Sequence, residues 1–126
     1  MAGEIPKGLE WTFLIHFFVT AFFGVAFMFF HKVILEAVEW PYYDEVTSRL
    51  LGAAMIAIAT SSLLAWREKE VEKVRIVMEM ELVWLILAVV VSIYGIIMTM
   101  NLIVWAALGL FAAFLVGFIY YYREAF

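Results

Sequence analysis

His16 and Glu81 are the two residues from which chemistry is easiest to draw, because each falls in a long apolar stretch. A histidine and a carboxylate so placed could relay protons or bind a polar headgroup. An ionisable group inside a membrane is costly enough to suggest a function by itself. His16 lies five residues past Trp11, about 7 Å deep by helix rise, and shares one helical face with Thr20 and Gly24. Glu81 opens a second face: Glu81, Leu85, Ala88, Ser92, Gly95 and Thr99 alternate spacings of four and three, which makes one continuous stripe. Thr60, Ser61 and Ser62 are expected at a similar depth on another helix, and Tyr120 and Tyr121 on a further one. The plainer alternative is that Glu79 and Glu81 reach water at the membrane edge while the hydroxyls bond their own helices.

A second cluster joins His31, Lys32, Glu36, Asp44, Glu45 and Arg49. Arg49 is expected to pair with one of the carboxylates and to begin an inward stripe through Gly52 or Ala53, Ile56 and Thr60. Ordinary interfacial charge is the simpler account of this cluster. The residues expected to bind a ligand or relay protons are then His16, Thr20, Arg49, Thr60, Ser61, Glu81 and Tyr121. His16 and His31, about 22 Å apart by rise, would suit two stacked haems. Each haem needs a further axial ligand, however, and the chain has no third histidine. Only Met28 or Met98, or a second copy of the chain, could complete such sites. His16 and Glu81 are too few for a closed metal shell. The chain carries neither a glycine-rich phosphate loop nor an activated-serine signature. The expectation is a protein that is not an enzyme, with its cofactor, if any, unknown.

The surrounding chain must hold these groups in a bilayer. Of the 126 residues, 67% are hydrophobic and 16% charged, and the mean hydropathy is +1.03. A soluble domain is usually about 45–50% apolar, so the composition selects a membrane protein. One crossing takes about 20 apolar residues, which makes room for four spans, expected near 11–35, 46–66, 76–98 and 101–122. The continuous apolar runs disfavour a β-barrel, and the first is too long for a cleaved signal peptide and should stay as a span. With no cysteine, disulfides and thiolate chemistry are excluded. No basic patch suggests nucleic acid.

Residues 1–10 read as an extended or frayed polar tail. Asp44 and Asn101 read as helix N-caps, and Pro41 as the stop of the incoming helix. Residues 67–75 read as a charged connection, with a tight turn near 66–70. Gly109, Ala113 and Gly117 form a small-residue packing face. Lys7, Arg67, Lys69, Lys73, Arg75 and Arg123 fall on the side of both termini, against Lys32 and Arg49 on the other. The positive-inside rule then puts both termini in the cytoplasm. The expected fold is an all-α, antiparallel bundle of four transmembrane helices in the cell membrane.

At Arg49-Leu50-Leu51-Gly52-Ala53 the chain resembles the small four-helix membrane proteins grouped as DoxX-like. In those, an Arg-x-x-Gly start to the second span follows a first span and a short outer segment. The resemblance covers nearly the whole layout, and of the family pattern it matches Arg49 and Gly52. It implies a compact bundle, in some members an accessory to a quinone-linked oxidoreductase. The function expected is non-catalytic: holding a lipid-like or other apolar small molecule between the helices, or docking in a larger membrane complex or a homo-oligomer. The alternative is a small proton-coupled transporter or channel that uses His16 and Glu81.

Overall fold

The computed structural model describes residues 3–126. It is all-helical, with α1 at Lys7–Phe29, α2 at His31–Ala37, α3 at Glu45–Arg67, α4 at Arg75–Thr99 and α5 at Leu102–Ala125. A 3-10 turn at Val71–Val74 leads into α4. Four stretches, Lys7–Phe29, Glu45–Arg67, Val71–Thr99 and Leu102–Ala125, are long and apolar enough to cross a membrane. The shortest has 23 residues, about 34 Å at 1.5 Å per residue, against a hydrocarbon core of about 30 Å.

The first apolar stretch is two helices rather than one span to residue 35. α1 stops at Phe30 (φ −125°, ψ 29°), with neither glycine nor proline to mark the break. Tertiary contacts hold it: His31 is buried with Nε2 2.7 Å from the Tyr43 hydroxyl, and Arg49 Nη1 donates to the Met28 carbonyl at 3.3 Å. That cation satisfies one of the free carbonyls at the end of α1. α2 ends before Pro41. Glu39 takes the left-handed conformation (φ 57°), and the Trp40 N–H donates back to the Leu35 carbonyl at 2.9 Å, a Schellman-type close with proline just beyond.

Asp44 caps α3, accepting from the Thr47 N–H at 3.1 Å. Asn101 caps α5, accepting from the Ile103 N–H at 2.8 Å. Between α4 and α5 the chain reverses at Met100, which is left-handed (φ 53°). The Asn101 amide also donates to the Ala37 carbonyl at 3.2 Å, tying this turn to the end of α2.

α1 packs along α3, and α4 along α5, with lighter contact between the two pairs. The α1–α3 crossing is a backbone contact at Gly24 and Gly52. A Cβ on Gly52 would lie 2.5 Å from the Met28 nitrogen and 2.6 Å from the Gly24 carbonyl oxygen, so only glycine lets the helices come this close. The buried face of α3 is Ser48, Gly52, Met55, Ala59, Ser62 and Ala65. Of the expected inward stripe through Arg49, Gly52 or Ala53, Ile56 and Thr60, Gly52 is buried and Ile56 half-buried, while Arg49, Ala53 and Thr60 are exposed, so the buried face is turned by about one position. On α4, by contrast, Glu81, Leu85, Ala88, Ser92 and Gly95 are buried as the spacing predicts.

All four long helices share one core, made by Ile5, Leu9, Phe13, Ala65, Val71, Val74, Met78, Leu85 and Phe118. It lies at the end where the N-terminal segment, the α3–α4 connection and the C-terminus meet. Met1 and Ala2 of the expected polar tail fall outside the described residues. The rest is neither free nor frayed: the Ile5 N–H donates to the Lys69 carbonyl at 3.3 Å and the Val71 N–H to the Gly3 carbonyl at 2.9 Å. At the C-terminus, the Arg75 guanidinium sits 5.0 Å from the centre of the Phe126 ring.

Candidate functional site

Where α1, α3 and α4 meet, just inside the shared core, three polar side chains close on one another. His16 of α1 is 2% exposed, and Ser62 of α3 and Glu81 of α4 are both 0% exposed. The Ser62 hydroxyl donates to Glu81 Oε1 at 2.7 Å, and His16 Nδ1 lies 2.9 Å from Ser62 Oγ. On the other side of the ring, Nε2 is 3.3 Å from Thr20 Oγ1 and 3.5 Å from Glu81 Oε2. α5 supplies the lid: Phe114 and Phe118 meet the imidazole edge-on, with centroids 4.8 Å and 5.6 Å away.

The local sequence explains the convergence. His16 and Thr20 lie on the α1 face that continues to Gly24, and the glycine crossing draws that face onto α3. Ser62 belongs to the α3 face that contains Gly52, so the crossing aims it at His16. Glu81 begins the one polar-and-small stripe of α4. An ion removed from water costs several kcal/mol unless partnered; here a base and an acid are buried together, so the pair holds no net charge when it holds one proton between them. Glu81 Oε2 and the Trp84 indole N–H are nonetheless buried without a hydrogen-bond partner.

Of the residues singled out from sequence, His16, Thr20 and Glu81 are together and Ser62 completes the cluster. Thr60 and Ser61 instead donate to their own helix, to the Ile56 carbonyl at 2.8 Å and the Ile58 carbonyl at 2.6 Å. Arg49 is half-exposed at the far end, paired with Glu45 at 2.8 Å. Tyr121 lays its hydroxyl end against Gly8, away from the cluster. Glu79 and Glu81 part company: Glu79 is exposed, pairs with Arg75 at 3.1 Å and accepts from the Tyr122 hydroxyl at 2.8 Å. Sequence reasoning missed Phe114 and Phe118; in a helix so rich in large apolar residues nothing distinguishes the pair that covers the histidine.

Two open clefts lie elsewhere. One of about 270 Å³ is lined by Glu10, Trp66, Arg67 and Lys69. The other, of about 290 Å³, is lined by Lys32, Leu35, Glu36, Glu39, Trp40 and Tyr43, next to the stacked rings of His31 and Tyr43. Neither is lined by His16, Ser62 or Glu81. Among the described residues, no three of His, Asp and Glu gather as a metal site would require.

Residues 2–123 match the family described as Domain of unknown function (DUF8292). No curated protein and no solved structure matches the chain. The match spans nearly every residue that builds the four long helices and their buried cluster, and the chain belongs to the DUF8292 family.

Proposed function

We propose that this chain is a small proton-coupled transporter: an antiparallel bundle of four spans in the cell membrane, with both termini cytoplasmic. One observation carries the functional part. A histidine and a carboxylate from different helices, both wholly buried, face each other at 3.5 Å in a body built of membrane-length apolar helices. Such a pair is expensive to keep in a membrane, and proton relay is the use its chemistry suits. Its closure under Phe114 and Phe118 fits an occluded state of a carrier that opens to one side at a time. The orientation is supported by the six cationic residues that belong to the terminus-bearing end.

The test uses proteoliposomes with a trapped pH-sensitive dye, an inward proton gradient and a filtered small-molecule extract of the source cells. Wild-type protein should acidify the lumen faster than protein-free vesicles, and His16→Ala and Glu81→Gln should each return the rate to that of empty vesicles. Rates unchanged by both substitutions would overturn the reading.

A second reading is a non-catalytic accessory subunit of a larger membrane complex or homo-oligomer, or a binder of a lipid-like molecule. It is favoured by small residues left facing outward: Ala53, Ala57 and Thr60 on α3, and Gly109 and Ala113 on α5. Nothing lies within 4 Å of where a Cβ on Gly109 would be. Native mass spectrometry from mild detergent would then recover a partner chain or a bound adduct.

A further inference from the structure

We propose that Ser62 is the positioning residue of the pair: it fixes His16 as the Nδ1–H tautomer and so confines the exchangeable proton to the line between Glu81 Oε2 and His16 Nε2. For its role in coupling, the inference rests on the transporter reading; for its test it needs only the ring.

The hydrogens available in the cluster fix the tautomer. A serine hydroxyl has one proton to give. That of Ser62 goes to Glu81 Oε1, at 2.7 Å, which accepts both in the carboxylate and in the neutral acid whose hydrogen sits on Oε2. Ser62 Oγ is then only an acceptor toward His16, 2.9 Å away, so Nδ1 must carry hydrogen. With Nδ1 fixed as a donor, Nε2 of the neutral ring is bare and turned toward Glu81 Oε2 at 3.5 Å, the oxygen of Glu81 that is buried without a hydrogen-bond partner. A proton on Oε2 therefore has one base in front of it. Its transfer breaks the Oε2–H bond and forms the Nε2–H bond; Glu81 becomes carboxylate, His16 becomes imidazolium, and the pair stays at zero net charge.

Thr20 serves both forms. Its hydroxyl, 3.3 Å from Nε2, donates to the bare nitrogen and accepts from the protonated one. The remaining walls are the rings of Phe114 and Phe118, which offer no competing base. The ionisable groups nearer the helix ends, Arg75, Glu79 and Tyr122, are occupied with one another.

The test is nitrogen-15 solid-state NMR of the histidine-labelled full chain in lipid bilayers, with His31 assigned from a His31→Asn sample. The neutral His16 ring should be in the Nδ1–H form. Ser62→Ala leaves that N–H without an acceptor, so the ratio of Nδ1–H to Nε2–H should fall about tenfold, the equivalent of one buried hydrogen bond. Ser62→Thr, which keeps the hydroxyl, should restore the wild-type ratio. A wild-type ring in the Nε2–H form, or a ratio that Ser62→Ala leaves unchanged, overturns the inference. Vesicles that fail to couple protons while the ring has the expected tautomer count against the transporter reading alone.

Discussion

Two positions separate Glu79 from Glu81, and on a helix that is a rotation of about 200°. The rotation sends one carboxylate to Arg75 and Tyr122 at the surface and the other into the core beside His16. His16→Ala would leave the Glu81 carboxyl buried without its base, at an expected cost of about 1–3 kcal/mol. Replacing both by leucine removes the uncompensated group as well, so the double variant should unfold later than either single one in detergent. A double variant no more stable than the singles would show that the two do not act as a pair. Thr60→Leu, on an exposed position that bonds only its own helix, should shift stability by less than about 0.5 kcal/mol. At this scale His16, Thr20 and Glu81 were legible in the sequence because each interrupts an apolar face. Ser62 could not be separated from Thr60 and Ser61, because three adjacent hydroxyl residues point every way round a helix.

The helices are held by contacts that a single side chain can break. Gly52→Val would drive the added atoms into the backbone around Met28 and Gly24, so α1 and α3 should separate at a cost of about 1–3 kcal/mol. Gly109→Ala meets open space and should be neutral or stabilising by up to about 1 kcal/mol. Thermal unfolding of the two variants side by side checks the contrast. The N-terminus of α3 adds a pH dependence. Bonding to the Thr47 N–H holds the Asp44 carboxyl below its ordinary value of 3.8. A depressed acid stabilises fully above its unfolded value, and that contribution is lost as the pH falls through the folded one. Protection of the Thr47 amide, measured against its intrinsic exchange rate, should therefore fall below pH 3.8 in the wild type, and Asp44→Asn should flatten that response. The two caps and the α4 stripe could be read in advance because Asp44, Asn101 and the Glu81 series stand out from their surroundings. The register of α3 could not, since Ala53, Ala54, Ala57 and Thr60 are as small as the residues that are buried. Nor could the break at Phe30, which is made by Tyr43 and Arg49 from later in the chain.

At the scale of the whole molecule, the shared core sits at one end and ties Gly3 and Ile5 to the α3–α4 connection. The expected layout of four apolar stretches has its counterpart in four membrane-length helices, while the pairing of the N-terminal segment with residues 69–71 left no mark in composition. The proposed orientation has a direct check because the chain has no cysteine. In intact cells a membrane-impermeant maleimide should label a Tyr42→Cys variant and leave Gly3→Cys unlabelled until the membrane is opened; the reverse pattern would invert the topology. In the proposed transporter Glu81 gives and takes a proton inside this body. Infrared difference spectroscopy of the protein in bilayers, stepped from acid to alkaline pH, measures that most directly. A protonated-carboxyl band should change with the step, disappear in Glu81→Gln and be altered in His16→Ala. A spectrum in which Glu81 contributes no changing band would contradict that role.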